Sequence, residues 1–170
     1  MMGAGKSSVG RCLERRTGLS RLDTDEMAAI KLGLSVPEIF SKFGQEKFRE
    51  IETQMLRELD PAKPMIIVTG GGIVLRDGNV DLLRQVGTIV LLEADEDTLF
   101  ERASRKKNRP LLQTENPRAT FAELLRTRTP LYAKVANIRI DTSSLNQDDV
   151  AEMILNKIGN LFSTKQWALN

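Results

Sequence analysis

The chain has 170 residues, of which 41% are hydrophobic and 28% are charged, and its 25 basic and 23 acidic side chains give a formal net charge of +2. This composition predicts one globular domain over residues 1–170 and does not indicate a nucleic-acid partner. With a single cysteine and no histidine, the sequence excludes an internal disulfide and argues against a zinc site. It has no run of about 20 apolar residues and no N-terminal signal pattern, so we expect a cytoplasmic protein without a membrane partner.

A phosphate-binding loop opens the chain, where residues 2–8 read M-G-A-G-K-S-S. They match the end of the motif G-x-x-x-x-G-K-[ST], in which Gly5 permits a tight turn, Lys6 supplies positive charge and Ser7 offers a hydroxyl to Mg²⁺. An amphipathic helix is predicted over residues 5–16, with its N-terminal amides directed at the phosphates. The alternative is a flexible glycine-rich terminus. The glycine and the hydrophobic strand that open a complete motif do not precede these residues, so we expect the first strand of the fold to be absent.

Two acids follow the next predicted strand, residues 19–22, and Thr24 separates them. At the carboxyl end of a parallel strand, acids such as Asp23 and Asp25 commonly bind a metal ion or substrate hydroxyls. Alternatively, Asp23 or Thr24 caps the N-terminus of a helix. The two interpretations are compatible with each other.

A capping box, S-V-P-E at residues 35–38, predicts a short helix through Phe40, and a second amphipathic helix is predicted over residues 45–59. In the second helix Arg49 precedes Glu52 by three residues. This spacing alone favours a surface ion pair that stabilises the helix by about 0.3 kcal/mol.

Three consecutive glycines follow a predicted buried strand over residues 65–69. Gly70, Gly71 and Gly72 remove every Cβ at the strand end, so that a ligand can approach the backbone closely. A simple turn is the alternative interpretation.

Strands and helices alternate through the rest of the chain, which predicts a parallel α/β sheet. The predicted elements are a helix over 78–85, a strand over 88–92, a helix over 96–104, a helix that starts near 121 and ends within 126–132, a strand over 138–140 and a helix over 150–161. Residues 105–117 are basic and contain two prolines, which is typical of an exposed loop or of a mobile lid over phosphates. Composition alone favours the exposed loop.

Together these motifs resemble those of the shikimate kinases, small P-loop kinases that phosphorylate the 3-hydroxyl of shikimate with ATP in aromatic amino-acid biosynthesis. G-A-G-K-S, L-D-T-D, I-F-x-x-x-G-x-x-x-F-R-x-x-E, T-G-G-G, R-P-L-L and R-x-P-L-Y occur in the order of the family. The resemblance implies a three-layer α/β/α fold with a five-stranded parallel sheet of order 2-3-1-4-5. The strand expected to be absent would lie at the centre of that sheet.

The resemblance also implies a role for each motif residue. The residues implied in catalysis are Lys6, Asp25 and Arg109. Those implied in binding ATP are Gly3, Ala4, Gly5, Lys6, Ser7, Ser8, Arg102, Arg109 and Gln147. Shikimate would be bound by Asp25, Arg49, Gly70, Gly71, Gly72 and Arg128, and Mg²⁺ by Ser7 and, through water, by Asp23. A substrate carboxylate accounts for two arginines, because guanidinium groups bind carboxylates bidentately.

By the same resemblance, residues 24–60 are expected to form a substrate-binding helical segment and residues 105–116 a mobile lid, in a monomer whose partners are ATP and shikimate. One alternative is a gluconate kinase or another small-metabolite kinase of similar fold. Another is a nucleotide-binding protein that lacks the first strand and does not transfer phosphate. A nucleic-acid-binding role for residues 102–109 would leave the acids and the glycines unexplained.

Overall fold

The computed structural model describes residues 1–76, 78–105 and 110–166 of the chain. The helices of this part are α1 (Lys6–Thr17), α2 (Thr24–Leu32), α3 (Val36–Glu58), α4 (Asn79–Val86), α5 (Glu96–Ser104), α6 (Pro117–Val135) and α7 (Gln147–Gln166). The strands are β1 (Arg21–Asp23), β2 (Ile66–Val68), β3 (Val90–Glu93) and β4 (Ile138–Asp141). The predicted alternation of strands and helices is confirmed.

Local signals account for several helix ends. Helix α1 starts after Gly5, ends at Gly18 and has both glycines in the left-handed conformation, with φ values of 83° and 71°. The predicted capping box is present, since the Ser35 side chain accepts from the Glu38 amide and the Glu38 carboxylate accepts from the Ser35 amide. Asp95 caps α5 by accepting from the Thr98 amide at 2.8 Å.

Two helices extend beyond their predicted ends. Helix α6 continues through Pro130 to Val135, because the buried side chains of Tyr132 and Val135 pack into the core beyond the proline. Helix α7 begins at Gln147 rather than at residue 150, because the Asn146 side chain accepts from the amides of the next turn and caps it there.

The predicted pair of helices over residues 36–59 is present as α3, which breaks at Gly44. This residue has φ 77° and ψ 173°, which is incompatible with a continuous helix. The aromatic rings of Phe40 and Phe48 pack across the break with centroids 4.9 Å apart.

The four strands form two separate parallel pairs. Strand β1 pairs with β2, with Leu22 opposite Ile67, and β3 pairs with β4, with Leu91 opposite Arg139. A groove lies between β2 and β3. On both faces of the strands it is lined by Ile67, Thr69, Val90 and Leu92. Side chains of α1 and α7 border the groove on one face, and those of α4 and α6 border it on the other. The parallel α/β class is therefore confirmed, with helices on both faces of the strands.

The hydrophobic core is divided into two clusters. The larger one joins α1, β3, β4, α5, α6 and α7 around Phe121, Leu99 and Ile140, which are buried. The smaller one joins α2 to both parts of α3 around Ile39 and Phe48. Within the described residues, no helix is long and apolar enough to cross a membrane. Ala4 of the phosphate loop belongs to the larger cluster, and the glycine turn at residues 70–72 accepts a hydrogen bond from Tyr132 of the same cluster.

Candidate active site

The phosphate loop leads into the N-terminus of α1. Gly3 has φ 77°, and a Cβ there would lie 3.0 Å from the Leu99 carbonyl carbon and closer to its oxygen, so no other residue fits. The first turn of α1 carries no acid, and its N-terminal amides therefore favour an anion. Lys6 Nζ donates to the Met1 carbonyl at 2.6 Å, which holds the ammonium beside the loop.

Ser7 and Asp23 meet at the end of β1. Ser7 Oγ donates to Asp23 Oδ2 at 3.1 Å, and Asp23 Oδ1 accepts from the Asp25 amide at 3.1 Å. Asp23 thus caps α2, as one of the two interpretations predicts. A hydroxyl and a carboxylate are the oxygen ligands that suit Mg²⁺, which keeps several waters and binds substrate phosphates. Among the described residues, no three acids or cysteines are grouped so that they could hold a metal ion by themselves.

Arg49 and Glu52 form a buried ion pair on α3, with 8% and 0% of their side chains exposed. Arg49 Nη1 donates to Glu52 Oε2. The guanidinium also lies against Gly72, because a Cβ on Gly72 would be 2.7 Å from Arg49 Nη1 and closer to Cζ. The surface ion pair predicted from spacing is therefore wrong. The apolar residues of α3 pack on α2. This packing directs Arg49 and Glu52 towards the glycine turn and places the ion pair inside the protein.

The glycine turn also separates two carboxylates. A Cβ on Gly70 would lie 2.6 Å from Asp25 Oδ1 and 2.8 Å from Glu52 Oε1, so the two oxygens are at most about 5.4 Å apart. Burial raises the pKa of Glu52 to about 7, against the opposing charge of Arg49, and the nearby Asp25 raises it further. The close approach of side chains to the turn supports the interpretation that these glycines do more than reverse the chain.

Helix α6 supplies Arg128 and Tyr132, one helical turn apart, and both are buried. The Tyr132 hydroxyl donates to the Gly71 carbonyl. Burial raises the pKa of Tyr132, while the positive charges of Arg128 and Arg49 oppose that shift. The bond from Tyr132 connects the helix that carries Arg128 to the glycine turn.

Two adjoining clefts collect the predicted site residues. The first is lined by Gly3, Ala4, Gly5, Lys6, Ser7, Ser8, Asp23, Asp25, Arg102 and Gln147. The second is lined by Asp25, Arg49, Gly70, Gly71, Gly72 and Arg128, with Phe40 and Phe48 on its apolar wall. Ser7, Asp23, Asp25, Gly70 and Gly71 line both clefts. A ligand in one cleft would therefore meet a ligand in the other beside Asp25.

The far end of the first cleft contains Arg102 and Gln147. Arg102 donates to Thr142 Oγ1 at 3.1 Å and to the carbonyls of Thr142 and Ser143 at 2.9 and 3.2 Å. It therefore fixes the loop that leads from β4 to α7. Arg109 lies outside the described residues, together with part of the predicted lid.

A family model described as shikimate kinase matches residues 2–159. The chain belongs to the shikimate kinase family. The shikimate kinase of Thermodesulfovibrio yellowstonii is 44% identical over 164 residues, which cover 96% of this chain and 94% of that protein. The shikimate kinase of Ralstonia nicotianae is 44% identical over 155 residues, which cover 91% of this chain and 82% of that protein.

Solved structures place the fold in the same family. A shikimate kinase from Acinetobacter baumannii, in complex with shikimate, superposes with a TM-score of 0.88 at 41% identity, covering 94% of this chain and 89% of that one. A gluconokinase from Sinorhizobium meliloti superposes with a TM-score of 0.62 at 16% identity, covering 98% of this chain and 91% of that one. The second match shows a likeness of fold alone. The resemblance of the motifs to the shikimate kinases is confirmed.

Sequence reasoning missed three side chains that hold the glycine turn in this member of the shikimate kinase family. The Gly70 amide donates to Thr24 Oγ1 at 3.2 Å, Tyr132 donates to the Gly71 carbonyl, and Asn79 Nδ2 donates to the Ile73 carbonyl at 2.9 Å. Two of the three bonds end on a main-chain carbonyl, and such partners leave no pattern in a sequence. Thr24 lies in the motif L-D-T-D and Tyr132 in the motif R-x-P-L-Y, but neither motif indicated these bonds.

Proposed function

We propose that this protein is a shikimate kinase that transfers the γ-phosphate of ATP to the 3-hydroxyl of shikimate. The observation that supports this activity best is the pair of buried arginines, Arg49 and Arg128, in the cleft that adjoins the phosphate loop. Buried cations at an apolar wall favour an anionic ligand, and two guanidinium groups suit a carboxylate. Asp25 lines both clefts and is positioned to accept hydrogen bonds from ring hydroxyls.

The first cleft suits ATP. The α1 amides and Lys6 would bind the phosphates, while Arg102 and Gln147 lie where the nucleotide base would extend. Ser7 and Asp23 would hold Mg²⁺, which when bound would neutralise charge on the transferring phosphate. Arg109, as the resemblance implies, would reach the nucleotide from the lid.

Asp25 is the residue that we assign to the proton of the attacking hydroxyl. It lies where the two clefts meet. Phosphoryl transfer depends on positioning and charge stabilisation more than on covalent catalysis, so a chain without histidine has the groups that it needs.

The domain organisation is part of the proposal. Residues 24–60 would form the substrate-binding segment. Within it, α2 and the part of α3 before Gly44 would move relative to the rest, because α3 is not a continuous helix at Gly44. Residues 105–116 would form the lid of a monomeric, single-domain kinase. Hydrogen exchange in residues 110–116 that is the same with and without ATP and shikimate together would contradict the lid.

We also propose that the sheet has five strands, with a further strand between β2 and β3 that comes before β1 in the chain. When that strand is counted as the first, the order across the sheet is 2-3-1-4-5. The groove between these strands is lined by apolar side chains, and both strands run parallel to their existing partners. Met1 is buried and lines the end of the groove near Gly71, at the carboxyl end of β2. An extended segment leading into Met1 would therefore run parallel to both strands.

Adding such a segment tests this topology. A short apolar, β-branched segment placed before Met1 should raise the melting temperature and slow hydrogen exchange in β2 and β3, because their unpaired amides would gain partners. The control is a glycine–serine segment of the same length. Equal melting temperatures for the two versions would contradict the proposed strand.

The activity is tested by ADP release in the presence of ATP and Mg²⁺, with shikimate as acceptor and gluconate as the control. We expect release that depends on shikimate and not on gluconate. Arg49→Ala should raise the KM for shikimate steeply and leave the KM for ATP unchanged, because Arg49 lines the second cleft only. The proposed activity would be refuted by ATP binding without shikimate-dependent ADP release, both in this chain and in the chain that carries the added strand.

A further inference from the structure

The glycine turn is connected to three helices by side chains that the proposed chemistry does not use. Thr24 from α2, Asn79 from α4 and Tyr132 from α6 are each at least 93% buried, and each makes a hydrogen bond to the main chain of residues 70–73. Because three successive glycines have no side chains to restrict them, these bonds fix the conformation of the turn.

Tyr132 differs from the other two because it shares helix α6 with Arg128, which lines the second cleft. The Tyr132 hydroxyl donates to the Gly71 carbonyl, and Arg128 lies one helical turn before Tyr132 on the same side of the helix. The bond therefore connects the helix that carries Arg128 to the glycine turn.

The other arginine of the cleft lies against the same turn. The guanidinium of Arg49 is in van der Waals contact with Gly72, so a shift of the turn displaces Arg49. The connection from α6 through the Tyr132 hydroxyl and the peptides of residues 71–72 to Arg49 is thus continuous. It relates the position of Arg49 to that of the helix that carries Arg128.

We propose that Tyr132 is a positioning residue. It holds Arg49 and Arg128 at the spacing that one carboxylate of the acceptor requires. The proposal rests on the proposed function, in which these arginines bind the substrate carboxylate. Tyr132 lines neither cleft itself, and it would act on the acceptor through Arg49 and Arg128, which line the second cleft and not the first.

Tyr132→Phe is the direct test, since it removes the hydroxyl and keeps the ring in the core. We expect the KM for shikimate to rise roughly three- to tenfold, the effect of one hydrogen bond, while the KM for ATP stays constant. The control is Val135→Ala, which removes buried apolar atoms from the same helix but lines neither cleft. It should lower the melting temperature and leave both KM values unchanged.

A second measurement does not depend on turnover. In the protein without ligands, hydrogen exchange of the amides of residues 71–73 should be faster in Tyr132→Phe than in the wild type, and unchanged in Val135→Ala. Unchanged exchange in Tyr132→Phe, or equal rises in both KM values, would overturn the positioning role. If the wild type lacks shikimate-dependent turnover while Tyr132→Phe still exchanges faster than the wild type, the activity is refuted and the role of Tyr132 in holding the glycine turn is supported.

Discussion

Replacing Gly72 with alanine would test how closely the glycine turn is fitted to Arg49. The backbone at Gly72, with φ −97° and ψ 0°, is accessible to alanine, so the substitution adds no backbone strain. Its methyl group would lie 2.7 Å from Arg49 Nη1 and closer to Nη2 and Cζ. Non-bonded heavy atoms pack at roughly 3.5–4.0 Å, so the guanidinium must move by more than about 1 Å.

A displacement of this size in a group that positions the substrate costs about 100-fold in rate. We therefore expect kcat/KM for shikimate to fall about 100-fold, which corresponds to about 2.7 kcal/mol of transition-state stabilisation. The KM for ATP should not change, because Gly72 does not line the first cleft.

Steady-state ADP release in a double-mutant cycle with Arg49→Ala would measure the effect. In the Arg49→Ala background the methyl group meets no guanidinium, so adding Gly72→Ala should cost little and the coupling energy should approach the whole effect of the single substitution. Gly159→Ala is the matched control, since no atom lies within 4 Å of the added methyl group. Additive losses in the cycle would refute the reasoning.

Three further predictions concern charge and metal binding. Because the pKa of Glu52 is raised to about 7 in the folded protein, the free energy of unfolding should fall as the pH rises from about 4.5 to about 7. Denaturant titrations of Glu52→Gln should lack this fall. An identical pH dependence in the two proteins would contradict the raised pKa. Arg128→Lys should raise the KM for shikimate roughly tenfold or more, because lysine lacks the planar guanidinium that binds a carboxylate bidentately. The control is Arg126→Lys, at an exposed ion pair, which should not raise it. Equal KM values for the two variants in kinetic assays would argue against Arg128 as a carboxylate ligand. Ser7→Ala should raise the Mg²⁺ concentration needed for half-maximal activity, because it removes a hydroxyl that would bind the ion. The control is Ser104→Ala, at an exposed hydroxyl, which should not change this concentration. An unchanged Mg²⁺ titration of Ser7→Ala would exclude Ser7 from the metal site.

The sequence predicted best those features that local chemistry controls. The glycine ends of α1 and the capping box at Ser35 each depend on a few adjacent residues, and both are present. Asp23 was predicted as a helix cap or as a ligand, and its side chain caps α2 while it also contacts Ser7.

Features that depend on distant packing were not predictable from spacing. The three-residue spacing of Arg49 and Glu52 does not distinguish an exposed pair from a buried one, because the difference is made by the glycine turn that packs against them. Helix α6 continues through Pro130 for the same reason, since burial of Tyr132 and Val135 stabilises a turn that proline disfavours locally. The functional assignment came from the order of several motifs rather than from any one of them.

The break in α3 at Gly44 has a consequence for how the family can vary in length. In a continuous helix, inserting one residue rotates everything beyond it by about 100°. At Gly44 the helical register is already interrupted, so an insertion there would shift the first part of α3 and leave Arg49 and Glu52 in their orientation. Beyond residue 44 the same insertion would turn both side chains away from the glycine turn. Gaps in alignments with distant relatives should therefore fall at Gly44 and not between it and Glu52.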